Sequence, residues 1–304
     1  MNTLKLLRAA LPGVLALALL TSASHAQQAY PSPEQAASAL AAAVKTGERR
    51  QMLRILGYDA QDIIESGDEV ADAEMRQRFL SAYDAGHSIK ADGNKKATLV
   101  LGTEDFQFPI PLVNSKDGWE FDTDAGRIEI LYRRIGRNEL DAIQTCLAFA
   151  DAENEYADKD RGEGAGVYAQ RIVSSPGKKD GLFWRDEREP SPLGELAAQA
   201  SAEGYALGDQ AVPYHGYYFR ILKGQGSDAP GGAFYYVVRG KMIGGFALIA
   251  YPAEYGNSGV MTFMVNHAGV VYQKDLGKRT GIVAKRMTLF DPDQTWKKVD
   301  VAKR

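Results

Sequence analysis

The chain has 304 residues, 45% hydrophobic and 25% charged, with 36 Lys and Arg against 39 Asp and Glu and a net charge of −3. That balance offers no excess of cations for neutralising phosphate, which argues against nucleic acid or an anionic membrane as the general partner. Cys146 is the only cysteine, so an intramolecular disulfide, a Cys-ligated zinc and a dithiol redox site are all excluded, and stability has to come from apolar packing.

Residues 1–26, MNTLKLLRAALPGVLALALLTSASHA, have the three parts of a secretory signal: Lys5 and Arg8, an apolar run from Ala9 to Leu20, and small residues Ser24 and Ala26 before a cleavage point. The run is too short for the roughly 20 residues a membrane span needs. No cysteine follows it to carry a lipid. The expectation is an exported chain, periplasmic or secreted, with no integral membrane segment after cleavage. Loss of Lys5 and Arg8 leaves 34 basic residues against 39 acidic ones.

Helical signals come next. Ser32 before Pro33, with Gln35 three residues on, marks a capped helix start. The pattern resumes in ERRQMLRIL and stops at Gly57. A further helix over 72–85 sets Met75, Phe79 and Tyr83 on one face. The period then shortens. KATLVLG, FQFPIPLV and GWEFDT are strands separated by turn residues, and Pro109 and Pro111 place the second of them at a sheet edge.

From Asp124 the helical period returns and is expected to break at IGRN, with Asn138 capping a new helix. That break divides the chain into domains at 27–136 and 137–304. Cys146 falls on the packed face of the second helix, beside Ile143, Leu147 and Ala150. Residues 159–190 read as a long surface connection, and another helix is expected from Ser191. HGYYFRIL, AFYYVV, GGFALIAYP, GVMTFMV and GVVYQKDL are strands, with a hairpin turn at 266–269 and a closing helix before Trp296. The fold class is α+β: two small domains, each with helices packed on an antiparallel sheet.

IPLVNSKDGWEFDTDAGRIEILYRRIGRNEL, the run from GYYFRIL through PGGAFYYVVRGKMIGGFALIAYPAEYGNSGVMTFMVNHAGVVYQKDLG, and FDPDQTW resemble a bacterial family, domain of unknown function 2950. The resemblance implies an exported bacterial protein and supplies no catalytic residues. The first half is similar in element order to nuclear-transport-factor-2-like or cystatin-like domains, which implies a curved sheet with a cone-shaped pocket. The second half looks like the soluble part of type IV pilins and pseudopilins, with AENEYA, HGYYFRIL and YPAEYGNSG in the places of that family's helix end, GYxF strand and P-x-x-x-G turn. It departs in having its helix internal and amphipathic.

Few constellations suggest chemistry. His87, His215 and His267 form no HExxH or HxH pair, and each is expected to be structural or solvated. The serine of GNSG lies between strands, away from any strand-to-helix elbow. GQGSDAPGG at 224–232 leads into a strand and reads as a hairpin loop, since phosphate binding needs a helix N-terminus there. DKDRGEG offers Asp158, Asp160 and Glu163 as calcium ligands, although the EF-hand spacing is missing. Tyr251, Glu254 and Tyr255 pair two rings with a carboxylate that suits sugar or peptide. No catalytic residue is assigned.

The composite reading is a non-catalytic binding or assembly module of the bacterial envelope, with a protein partner or self-association. The alternatives are a periplasmic hydrolase or ligand-binding enzyme with a first-domain pocket around Trp119, Tyr83 and Asp122, and a pseudopilin-like component of secretion machinery.

Overall fold

The computed structural model describes residues 27–186, 188–205 and 212–300, so the proposed leader at 1–26 lies outside the described residues. Helix α1 (Pro33–Thr46) starts at Ser32, whose hydroxyl accepts the Gln35 N–H, and ends on Gly47 in the left-handed region. Helices α2 (Arg49–Leu56), α3 (Gln61–Ile64) and α4 (Glu69–Ala85) follow. Leu40 and Ala43 of α1 and Leu53, Ile55 and Leu56 of α2 pack with Ile110, Leu112 and Phe121 into the core of the first half.

That core rests on a sheet of β1 (His87–Asp92), β2 (Lys96–Leu101), β3 (Phe106–Gln107), β4 (Leu112–Ser115) and β5 (Gly118–Phe121). The order is β1-β2-β4-β5, all antiparallel, with β3 paired to the far end of β2. The segment carrying Pro109 and Pro111 is therefore interior, not the expected edge. The prolines fall in the gap between β3 and β4, where no ladder bond is required of them. Phe108 N–H still donates to Leu99 O, and Pro111 O accepts from Asp122 N–H.

Helix α5 (Thr123–Ala157) is 35 residues long, capped by the Asp122 carboxylate on the Ala125 N–H. The expected break at 135–138 does not occur. Asn138 is buried and donates its side-chain amide to Ser258 O instead of capping a helix. One turn earlier, buried Arg134 bonds to Asp62 O and Ile63 O. Tertiary hydrogen bonds on both sides of Gly136 hold the backbone helical through residues of weak intrinsic propensity.

Beyond α5 an irregular run is pinned by the bridges Tyr168–Met242 and Val173–Phe183, and by the Ala169 N–H on the buried Glu153 carboxylate. Burial pushes the Glu153 pKa well up. Helix α6 (Gly194–Ala202) begins three residues later than expected, because Ser191 O closes a turn onto Gly194 N–H ahead of it.

The second half holds β6 (Tyr217–Leu222), β7 (Gly224–Gln225), β8 (Phe234–Tyr235), β9 (Val237–Val238), β10 (Lys241–Met242), β11 (Ala247–Pro252), β12 (Met261–Asn266), β13 (Val271–Asp275), α7 (Thr280–Arg286) and β14 (Lys297–Lys298). Its main sheet has the order β14-β13-β12-β11-β6; the pairs β7-β8 and β9-β10 stand apart from it, the first closing the 224–232 loop as a hairpin. The 266–269 turn forms as expected, with Gly269 N–H on Asn266 O. Phe219 and Ile221 of β6 face α5, while Arg220 between them donates to Ala284 O and Met287 O at α7. Side chains alternate across a strand, so α5 and α7 cover opposite faces. Every residue of β11 is accordingly buried, which is why ALIAYP is apolar without alternation. No helix among the described residues is long and apolar enough to cross a membrane.

Two helical glycines give opposite expectations. At Gly126 a Cβ would lie 2.7 Å from Pro109 O and 2.8 Å from Ile110 Cα, whereas at Gly281 it meets nothing within 4 Å. Gly126→Ala should therefore destabilise by on the order of 1–3 kcal/mol despite the gain in helix propensity. Gly281→Ala should stabilise by up to about 1 kcal/mol. Urea unfolding of the two variants checks both signs.

Candidate binding site

The two halves meet around the N-terminus of α4. Asp68 is buried and caps that helix through Oδ1, which accepts the Val70 and Ala71 N–H groups. Its Oδ2 accepts the Tyr205 hydroxyl at 2.9 Å and the Gly216 N–H at 2.7 Å, both from the second half. Beside it, Arg134 reaches from α5 to the last carbonyls of α3 and to Asn257 Oδ1. Burial lowers the Arg134 pKa, although the charges of Asp72, Asp62 and Glu254 oppose that. The Asn257 amide donates to Glu65 O and to Glu254 Oε2. Gly67 has φ 82°, and a Cβ there would sit 2.9 Å from Glu254 Cγ, so this close approach requires glycine.

Gly216 belongs to the two-residue turn Tyr214–Tyr217, whose ends exchange N–H···O=C bonds. His215 and Gly216 have φ of 48° and 75°, both left-handed, as a type I′ hairpin turn requires. Histidine is an unusual first residue for such a turn, and its ring is held on both sides. Nδ1 lies 3.1 Å from Asp141 Oδ2 of α5, and Nε2 lies 2.9 Å from Glu203 Oε2 just beyond α6. Tyr205 stacks on the ring and Tyr214 meets it edge-on. Burial opposes a charged imidazole, but the Asp141 hydrogen bond and the charges of Asp141 and Glu203 outweigh it and raise the His215 pKa. In the imidazolium both nitrogens donate, one to each carboxylate.

Tyr205 and Tyr214 also close one end of a cleft of about 430 Å³. Its walls are Phe149 of α5, Leu196 of α6, Phe219 and Ile221 of β6 and Leu248 of β11. Most polar groups at its margin are already engaged. The Tyr205 hydroxyl is on Asp68, Gln170 donates to Gly240 O, and Arg220 is on the α7 carbonyls. Burial, then the Asp68 charge and hydrogen bond, push the Tyr205 pKa far up, and burial with the Glu203 and Asp141 charges takes Tyr214 up to about 12. The cleft thus presents mainly apolar surface, with two cationic residues, Arg171 and Arg220, at its margin.

The sequence-derived candidates lie elsewhere. Tyr251 is buried against Tyr218 on the α7 face of the sheet. The Tyr255 hydroxyl donates to Asp275 Oδ2, and Glu254 turns to Asn257. The three do not converge on a ligand; their loop docks the halves together. Nor do Asp158, Asp160 and Glu163 make a calcium cage. Asp160 Oδ1 accepts the Gly162 and Gly164 N–H groups, which hold its pKa down, and Glu163 pairs with Lys241. Among the described residues no group of three His, Cys, Asp or Glu is placed to hold a metal ion.

The three residues named for a first-half pocket each have a partner within the first half or at its edge. Asp122 caps α5, Trp119 bridges to Tyr30, and Tyr83 stacks on His87. Burial lowers the His267 pKa and pushes the Cys146 thiol up to about 12, so Cys146 is a packed core residue. Asp68, Arg134, Asp141, Glu203 and Tyr205 were not singled out by sequence. Only Asp68 carried a readable signal, an aspartate directly ahead of a helical segment.

A family described as Protein of unknown function (DUF2950) matches residues 27–299. No curated protein and no solved structure matches the chain.

His215 supplies a pH test. Its folded pKa is raised above the unfolded value of about 6.5, so its stabilisation is fully present below that pH and is lost as pH rises through the folded value. The stability difference between the native chain and His215→Gln should be largest near pH 6 and shrink towards alkaline pH. Melting temperatures of both proteins across pH 6–9 check it, and a difference that grows with pH contradicts it.

Proposed function

Because the chain belongs to the DUF2950 family, whose description assigns no activity, we propose from its geometry that it is a non-catalytic binding module of the bacterial envelope, taking an uncharged apolar group into the cleft beneath α6. The observation that carries this reading is the cleft itself. Its volume of about 430 Å³ is within the range of small-ligand sites. Its walls come from two helices, the sheet and the 170–173 segment, so a ligand there is held by rigid elements on several sides.

The chemistry of the walls selects the ligand. The guanidinium of Arg220 and the hydroxyl of Tyr205 are both committed to protein partners. An acyl chain or an aromatic ring entering the cleft gains about 25 cal/mol for each Å² of apolar surface it hides. Export is supported by the secretory pattern in residues 1–26. Catalysis is the weaker reading, because the imidazole of His215 has both nitrogens engaged by carboxylates.

The apolar fluorophore 1-N-phenylnaphthylamine is a direct probe. It should bind saturably at one site, and Leu196→Trp, which carries an indole into the cleft, should weaken it at least about tenfold while leaving the melting temperature close to that of the native chain. Unchanged binding by a folded Leu196→Trp protein rules the cleft out as the site.

A further inference from the structure

The cleft runs along a strand edge. Three consecutive residues of β6, the half-buried Phe219, Arg220 and Ile221, line it. Side chains alternate across a strand, so a surface that meets all three also meets the backbone between them. β6 is the last strand of its sheet and pairs with β11 alone. On the β11 side, Gly216 O accepts the Ala253 N–H. The Tyr217 N–H and C=O point the other way and pair with Tyr214. Backbone groups alternate between the two edges of a strand in this antiparallel pattern, so those of Phe219 and Ile221 also face away from β11. The next outward carbonyl, Lys223 O, accepts the Tyr236 N–H. The edge is thus closed at both ends. Between them, the N–H and C=O of Phe219 and Ile221 have no hydrogen-bond partner among the described residues. The far edge of the same sheet is blunted, since β14 is two lysines.

We propose that the ligand of the cleft is an extended peptide segment that adds to β6 as a further antiparallel strand. The inference rests on the proposed role of the cleft as a binding site and names the occupant. Every pair in the main sheet is antiparallel, and in that geometry Phe219 and Ile221 each exchange two hydrogen bonds with one peptide residue. An acyl chain has nothing to offer these four groups. Main-chain bonds of this kind supply affinity, and pockets for alternate side chains supply specificity.

The two faces of the edge set the peptide's sequence. Residues opposite each other on paired strands share a face. The peptide residues opposite Phe219 and Ile221 therefore enter the cleft among Phe149, Leu196 and Leu248, and are apolar. The residue between them falls on the α7 face beside Arg220. Nη2 of Arg220 donates to Ala284 O and Met287 O, which holds the guanidinium in place without neutralising it. α7, TGIVAKR, adds Lys285 and Arg286 and no acid. Charge complementarity makes the middle residue acidic, so the segment recognised reads apolar–acidic–apolar.

Fluorescence polarisation of a labelled heptapeptide with leucine, aspartate and leucine at its centre tests the proposal. It should bind saturably to the purified chain and displace 1-N-phenylnaphthylamine. N-methylation of the two leucines, whose N–H groups are aimed at Phe219 O and Ile221 O, should weaken binding at least about tenfold. N-methylation of the aspartate, whose N–H points away, should leave it within about threefold, and lysine in place of the aspartate should weaken it at least about tenfold. Bound peptide should also slow hydrogen exchange of the Phe219 and Ile221 amides at least about tenfold. If the dye binds saturably and the peptide does not displace it, the strand is overturned and the cleft stands as a site for small apolar ligands. If neither binds, both fail. Peptide affinity indifferent to leucine N-methylation, or weakened as much by methylating the aspartate, overturns the strand as well.

Discussion

The arrangement of this molecule depends on one buried carboxylate. Asp68 closes the N-terminus of α4 with one oxygen and takes a tyrosine hydroxyl and a turn amide from the far half of the chain with the other. A buried carboxylate is tolerable only when its oxygens are well satisfied. Here the donors come from residues more than 130 positions apart in sequence, so satisfying the charge and joining the halves are the same event. Asp68 thereby fixes where the Tyr214–Tyr217 turn lies, and with it Tyr205 and the mouth of the cleft. Arg134 and Asn257 extend the junction by meeting the open carbonyl end of α3.

The long α5 helix is the second element of this design. Its N-terminal part meets α3 through Arg127 and Arg134, its middle meets the 254–261 loop through Asn138 and Glu139, and its C-terminal part covers the five-stranded sheet. A helix of 35 residues spans about 52 Å at 1.5 Å per residue, so it acts as a common rail for both halves. Asp141 projects from it to His215, and Thr145 and Phe149 line the cleft one and two turns later. The charged turn and the apolar site are thus in register on one rigid element.

Local structure was readable in the sequence wherever a short-range rule governs it. The Ser32 cap, the stop at Gly57, the 266–269 turn and the buried Trp296 follow from local chemistry and apolar periodicity. What failed has a common cause. Asn138 looks like a cap and Gly136 like a break, yet the Ser258 carbonyl, 120 residues away, holds Asn138 inside a helix. Pro109 and Pro111 look like an edge because the sequence does not show that β3 and β4 share one neighbour. Tyr251, Glu254 and Tyr255 read as a ligand clamp from their types alone, but strand alternation and a tight turn send them three ways. The cleft was invisible for the same reason. Its walls are ordinary core residues, and only the fold leaves a space between them.

A double-mutant cycle on Asp68 and Tyr205, read by urea unfolding, tests the central claim most directly. Asp68→Ala strands the buried Tyr205 hydroxyl and Gly216 amide as well as the α4 cap, and should cost on the order of 3–5 kcal/mol. Tyr205→Phe removes one of those stranded groups, so the double variant should be less destabilised than the sum of the singles by about 1–2 kcal/mol, with one cooperative transition throughout. Effects that add to within about 0.5 kcal/mol would contradict a junction built on this carboxylate.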